Sequence, residues 1–181
     1  MKFENFLGHF QTITRHRHEV IKNCQKVGIF WQGLQHDLSK YSLTEFIAGV
    51  KYYQGNRSPN EQERFENGYS VAWMHHKGRN KHHFEYWTDY SATTRQLEPV
   101  KMPLRYVAEM FCDRVAASKI YNGKHYKNSD PLRYFLRGKP KRKIHPETAK
   151  FLEILLKMLA LKGEDFTFAW LRWYLQTHEE Y

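Results

Sequence analysis

The sequence predicts an all-α protein built as one domain, and three observations carry that expectation. Apolar residues recur at intervals of three and four along most of the chain, the spacing that lines up side chains on one side of a helix. No segment alternates apolar and polar residues convincingly as a half-buried strand does, and there is no internal repeat or glycine-rich phosphate loop. At 181 residues, with 41% hydrophobic and 16% aromatic content, the chain can bury a sizeable core without disulfides or a structural metal.

The first helix is expected over about residues 5–35. Phe6, His9, Ile13, His16, Val20, Cys24, Val27, Trp31 and Leu34 form its stripe, with Gly28 as a point of bending or division. His9 and His16 lie in the stripe, and His18 points to the other side. A histidine on an apolar face is more often a satisfied core residue than a ligand, so periodicity alone does not make His16 a metal site. His36-Asp37 ends this helix, and Ser42-Leu43-Thr44-Glu45 reads as a capping box opening a helix to about Tyr53. The His-Asp pair therefore falls at a helix end, where side chains can converge on a cavity. The plainer reading is that Asp37 and Ser39 only turn the chain.

Residues 54–60 are a loop by composition, and from Glu61 a helix resumes with Phe65, Tyr69, Ala72 and His76 on its inner face. That phase selects His76 over His75 as the inward residue and leaves His82-His83 at the start of an aromatic segment. Residues 88–100 look irregular. A helix follows from Met102-Pro103, with Tyr106, Met110, Asp113 and Ala117 inward and Glu109 one turn before Asp113. A carboxylate among apolar neighbours needs a cation or several hydrogen bonds to stay ionised. The null for Asp113 is pairing with Arg105 or Arg114. The chain should then be loop-like over about 121–146, where Arg137–Lys143 concentrates five cations, as a solvated linker or a phosphate contact. Two amphipathic helices close it, about 146–161 and 164–178. Their core stripes are Phe151, Ile154, Leu155 and Met158, then Phe166, Trp170 and Trp173.

A formal net charge of +10 would attract polyanions. No apolar run approaches the roughly 20 residues of a membrane span, and Met1–Asn5 lacks the layout of a secretory signal, so the expected location is cytoplasmic. Cys24 and Cys112 sit inside apolar helical patterns and are expected to be reduced core residues. There is no serine-centred nucleophile motif and no zinc-ribbon cysteine spacing. What remains is chemistry carried by His16, His36-Asp37, the histidines between 75 and 83, and Asp113, which offer imidazoles and carboxylates in the number a one- or two-metal site needs.

In order, an early helix histidine, His36-Asp37-x-x-Lys40, isolated and doubled histidines and a late helix aspartate resemble the ligand series of the HD-domain superfamily, including its two-metal members. More closely, Arg15-His16 with Val20, His36-Asp37-Leu38-Ser39-Lys40, Ala72-Trp73, His76 with Asn80, His82-His83-x-x-Tyr-Trp, Met102-Pro103 and Glu109-Met110-x-x-Asp113 resemble a family of bacterial and phage proteins, DUF5662. The resemblance spans roughly residues 10–120 and implies an HD-domain-like helical bundle. It implies that His16, His36, Asp37 and Asp113 hold one metal, with Asp37 bridging to a second held by His76 and one or both of His82 and His83. Lys40 would contact substrate phosphate, with Asp37 and Lys40 as the catalytic pair, and Asn80 and Glu109 would orient imidazoles. The GYP segment of the cyclic-dinucleotide phosphodiesterases is absent.

The implied cofactor is one or two divalent ions (manganese, iron, cobalt, nickel or zinc). The implied activity is hydrolysis of a nucleotide or other phosphoester by metal-activated water. Two alternatives stand beside it: a di-iron oxygenase on the same scaffold, and a basic nucleic-acid-binding or phage accessory protein with a structural metal.

Overall fold

The computed structural model describes residues 2–55 and 57–181; Met1 of the N-terminal segment and Asn56 of the expected loop lie outside them. Helix α1 runs Phe3–Lys26, and α2 is a short second piece, Phe30–Gln35. The division falls at Gly28, whose φ of 85° is open to glycine at little cost. A 3-10 turn at Leu38–Tyr41 leads into α3, Leu43–Lys51. Ser42 caps α3 by accepting from the Glu45 N–H at 3.4 Å. The other half of the expected capping box is not made, because the Ser42 N–H donates to Ser39 O and the Glu45 carboxylate turns to two histidines.

The single helix expected from Glu61 to His76 is instead two: α4, Pro59–Asn67, and α5, Val71–Lys77. Gly68 ends α4 in the left-handed conformation, and Glu63 accepts from Ser70 Oγ and from the Val71 N–H at 3.1 Å, fixing the corner. The break rotates the phase, so Phe65 and Tyr69 are exposed while Ala72 and His76 are buried. Residues 88–100 contain a small antiparallel hairpin, β1 Thr88–Tyr90 and β2 Leu97–Pro99, with Asp89 opposite Glu98.

Helix α6, Leu104–Asn122, is the central element. Its expected stripe is only partly right: Met110 is buried, but Tyr106, Asp113 and Ala117 are half-buried, and Val107, Phe111, Cys112 and Val115 form the deeper face. The helix is covered on two sides, by α1 and by the C-terminal helix, so its apolar residues run nearly all round. The expected loop from 121 to 146 contains α7, Asp130–Gly138, which buries Pro131 and Phe135.

The last element, α8, spans Pro146–Thr177 with non-helical backbone at Gly163, so the two expected segments are present and joined at a kink. Leu152, Leu155, Leu156, Leu159, Phe168 and Leu171 face the core. Ile154, Phe166 and Trp173 are about half exposed, one position out of the expected phase. Full burial of each such leucine contributes about 1.5–3 kcal/mol. Cys24 and Cys112 are both free and buried where α1 meets α6. No helix among the described residues is long and apolar enough to cross a membrane.

Candidate metal centre

The chain between α2 and α3 presents the central residue. Arg17 of α1 donates to the carbonyls of Leu34 and, at 3.2 Å, His36, which pins the end of α2 against α1. Asp37 then adopts φ 55° and ψ 22°, a conformation uncommon outside glycine and enriched in aspartate and asparagine. Such strain persists only where the surroundings impose it. Its effect here is to turn the carboxylate inward, where Asp37 is 2% exposed and His36 1%.

Each oxygen of Asp37 faces its own set of ligand atoms. Oδ2 lies 3.2 Å from His36 Nε2 and 3.8 Å from His16 Nε2, and Asp113 Oδ1 approaches the same two nitrogens at 3.7 and 3.0 Å. Oδ1 lies 3.2 Å from His76 Nε2 and 3.4 Å from His82 Nε2, and His83 Nε2 is 2.8 Å from His76 Nε2. Two four-residue groups result, His16-His36-Asp37-Asp113 and Asp37-His76-His82-His83, sharing Asp37. All seven residues expected as ligands are therefore brought together. His9 and His18 are not among them: His9 packs on Phe46 and Tyr53 as a buried core residue, and His18 is exposed.

Carboxylates behind the rings set which nitrogen faces the centre. Glu109 accepts from His36 Nδ1 at 2.9 Å and stands 3.1 Å from His82 Nδ1, and Gln32 donates to its other oxygen. With a proton on Nδ1, each ring turns a lone pair on Nε2 toward Asp37. Glu45 does the same for the neighbouring helix, holding His76 Nδ1 and His75 Nδ1 at 2.7 Å each. Asn80 Nδ2 donates to His76 O and to Ser39 Oγ, both at 2.8 Å, tying the end of α5 to the 3-10 turn. Glu109 and Asn80 thus lie where expected, whereas Glu45 and Gln32 went unnoticed. The only sequence signal for Glu45 was its place in the capping box, which led to a different role.

The electrostatics follow from this packing. Burial alone would push the Asp37 carboxyl up, but His36, Lys40 and His76 hold it well below the usual carboxylate range. Burial likewise opposes ionisation of Asp113, and His16 holds it well below its ordinary value. Against burial, Asp37 and Glu109 raise His36 to about 10. Burial lowers His16, and burial with the charges of His82 and His76 lowers His83 well below the ordinary imidazole value. Lys40 is partly exposed, its ammonium 2.6 Å from Asp37 Oδ2.

Four buried atoms, His16 Nε2, His36 Nε2, His82 Nε2 and Asp37 Oδ1, have no hydrogen-bond partner. Each such orphan costs about 1–3 kcal/mol, and three unpartnered imidazole nitrogens around a carboxylate with an unpartnered oxygen are a donor set that a divalent cation satisfies. The residues present therefore fit a metal ion. Fold and site together define a class, an all-helical protein whose buried imidazoles and carboxylates could hold metal. Residues 5–158 match the family model of DUF5662, a family of unknown function, and the chain belongs to that family. Neither a curated protein nor a solved structure matches the chain significantly.

Proposed function

We propose that this protein is a metal-dependent phosphohydrolase of the HD-domain type, acting on a nucleotide or other phosphoester. The observation that carries this reading is Asp37, whose Oδ2 approaches His36 and His16 and whose Oδ1 approaches His76 and His82, with Asp113 and His83 completing the two groups. A divalent ion in each group would polarise phosphoryl oxygens and lower the pKa of bound water. The chain's own part is to hold those groups rigid. His36 and His82 are clamped by Glu109, His76 by Glu45, and Asp37 bridges the two halves. Lys40, side chain 29% exposed and in contact with Asp37, is the cation of the cluster whose ammonium would meet a substrate phosphate.

The test is metal content of protein purified without a histidine tag, followed by a panel of phosphoesters. About two equivalents of a divalent ion and turnover that His36→Ala and Asp37→Ala abolish are expected. Two equivalents of redox-active iron without phosphoester turnover would move the assignment to the oxygenase reading. Absence of metal after reconstitution, with salt-sensitive polyanion binding, would leave a basic binding protein.

A further inference from the structure

Outside the metal centre, several cations near α7 and α8 have a carboxylate: Lys119 pairs with Glu164 at 2.7 Å, Lys157 with Glu153 at 2.7 Å, and Lys139 also with Glu153. Arg114 and Arg142 have none among the described residues. Arg114 follows Asp113 in α6 and is half-buried. Its Nε is fully enclosed with no hydrogen-bond partner, and its only hydrogen bond is a weak one from Nη2 to Met110 Sδ at 3.8 Å.

Arg142, just beyond α7, comes to the same place from the other side. Both arginines reach Phe135, one at its ring and the other at its main chain: Arg114 Cζ lies 5.7 Å from the ring centre, and Arg142 Nη1 donates to the carbonyl at 3.4 Å. The aromatic ring of Tyr134 lies 5.2 Å from Arg142 Cζ. Gly138 makes the arrangement sterically feasible, since a Cβ there would stand 2.5 Å from Arg142 Cζ.

Two neighbouring guanidiniums without a carboxylate partner are unfavourable by themselves. Asp113 and Glu85 are the acidic groups facing Arg114, neither within ion-pair distance. Arg142, but not Arg114, lines an open groove of about 560 Å³ with Lys139, Lys150, Glu153 and Lys157, which opens the Arg142 side of the pair to solvent.

We propose that Arg114 and Arg142 form a phosphate-binding site between α6 and α7, beside the Asp113 end of the metal centre. Planar guanidinium forks match phosphate oxygens two at a time, and a phosphate would supply the missing partner of Arg114 Nε. The site stands apart from the proposed hydrolysis, because it can be read in metal-stripped protein.

The experiment is calorimetric titration of inorganic phosphate into the chelator-treated full chain. Saturable binding is expected in the wild type and in Lys143→Ala, with at least tenfold weakening in Arg142→Ala and partial recovery in Arg142→Lys. Arg114→Gln, checked for folding by circular dichroism, should weaken binding similarly. Absence of phosphate binding by the wild type, or equal binding by wild type and Arg142→Ala, would overturn the site whether or not the protein hydrolyses phosphoesters.

Discussion

At the scale of single residues, the proposed two-ion centre turns on Asp37. Asp37→Asn keeps the shape but removes the charge facing both ligand groups, so metal by elemental analysis should fall from about two equivalents to one or none. Two equivalents retained would mean that Asp37 does not bridge. Glu45 and Glu109 stand behind the rings and set the orientation of three of the proposed ligand histidines, His76, His36 and His82. Glu45→Gln and Glu109→Gln should each lower metal affinity by about 10–100-fold. Glu63→Gln, which disturbs only the corner between α4 and α5, should leave affinity unchanged.

Proton linkage belongs to the same scale. His36 is raised from 6.5 to about 10, so in metal-free protein its proton contributes stability fully below pH 6.5, and this contribution is lost as pH rises through about 10. Ligation requires that proton to leave. Metal uptake at pH 7 should therefore release at least one proton, read as a dependence of binding enthalpy on buffer ionisation heat. Equal enthalpies in phosphate-free buffers of different ionisation heat would contradict it.

At the scale of elements, the centre depends on where helices stop. Gly28 divides α1 from α2, and the end of α2 places His36 and Asp37. Gly28→Ala puts a Cβ on a residue at φ 85° and should destabilise the fold by roughly 1–2 kcal/mol. Urea denaturation should show this as a lower midpoint with an unchanged slope. The sequence announced this break, since a glycine interrupts an otherwise continuous stripe. The break at Gly68 was not recognised, because Phe65, Tyr69, Ala72 and His76 keep helical spacing across it. The corner is closed by Glu63, a long-range detail invisible to periodicity.

At the scale of the whole molecule, the core and the centre are separable. Leu156, wholly buried on α8, belongs to the apolar core that α8 shares with α6 and is not among the candidate ligands. Leu156→Ala should cost about 2–5 kcal/mol of stability while leaving the number of bound metal ions unchanged. Conversely, a divalent ion that binds the folded chain alone should stabilise it by about 2.7 kcal/mol at a hundred times its dissociation constant. Thermal unfolding with and without chelator reads this directly, and equal transitions would argue against metal binding by the folded state.

The sequence by itself determined that the protein is helical, and it singled out the histidines and aspartates that gather in the candidate site. Three-and-four spacing specifies helices locally, and histidines beside aspartates are conspicuous in a chain that shows no other catalytic pattern. Even the inward choice of His16 over His18 and of His76 over His75 could be read from helical phase. Only the tertiary structure decided that the two oxygens of Asp37 face different partners, that His82 and His83 both join one group, and that Glu45 holds two rings. Most of those relations join residues about 20 to 45 positions apart, and periodicity describes what lies on one helix, not what another helix brings against it.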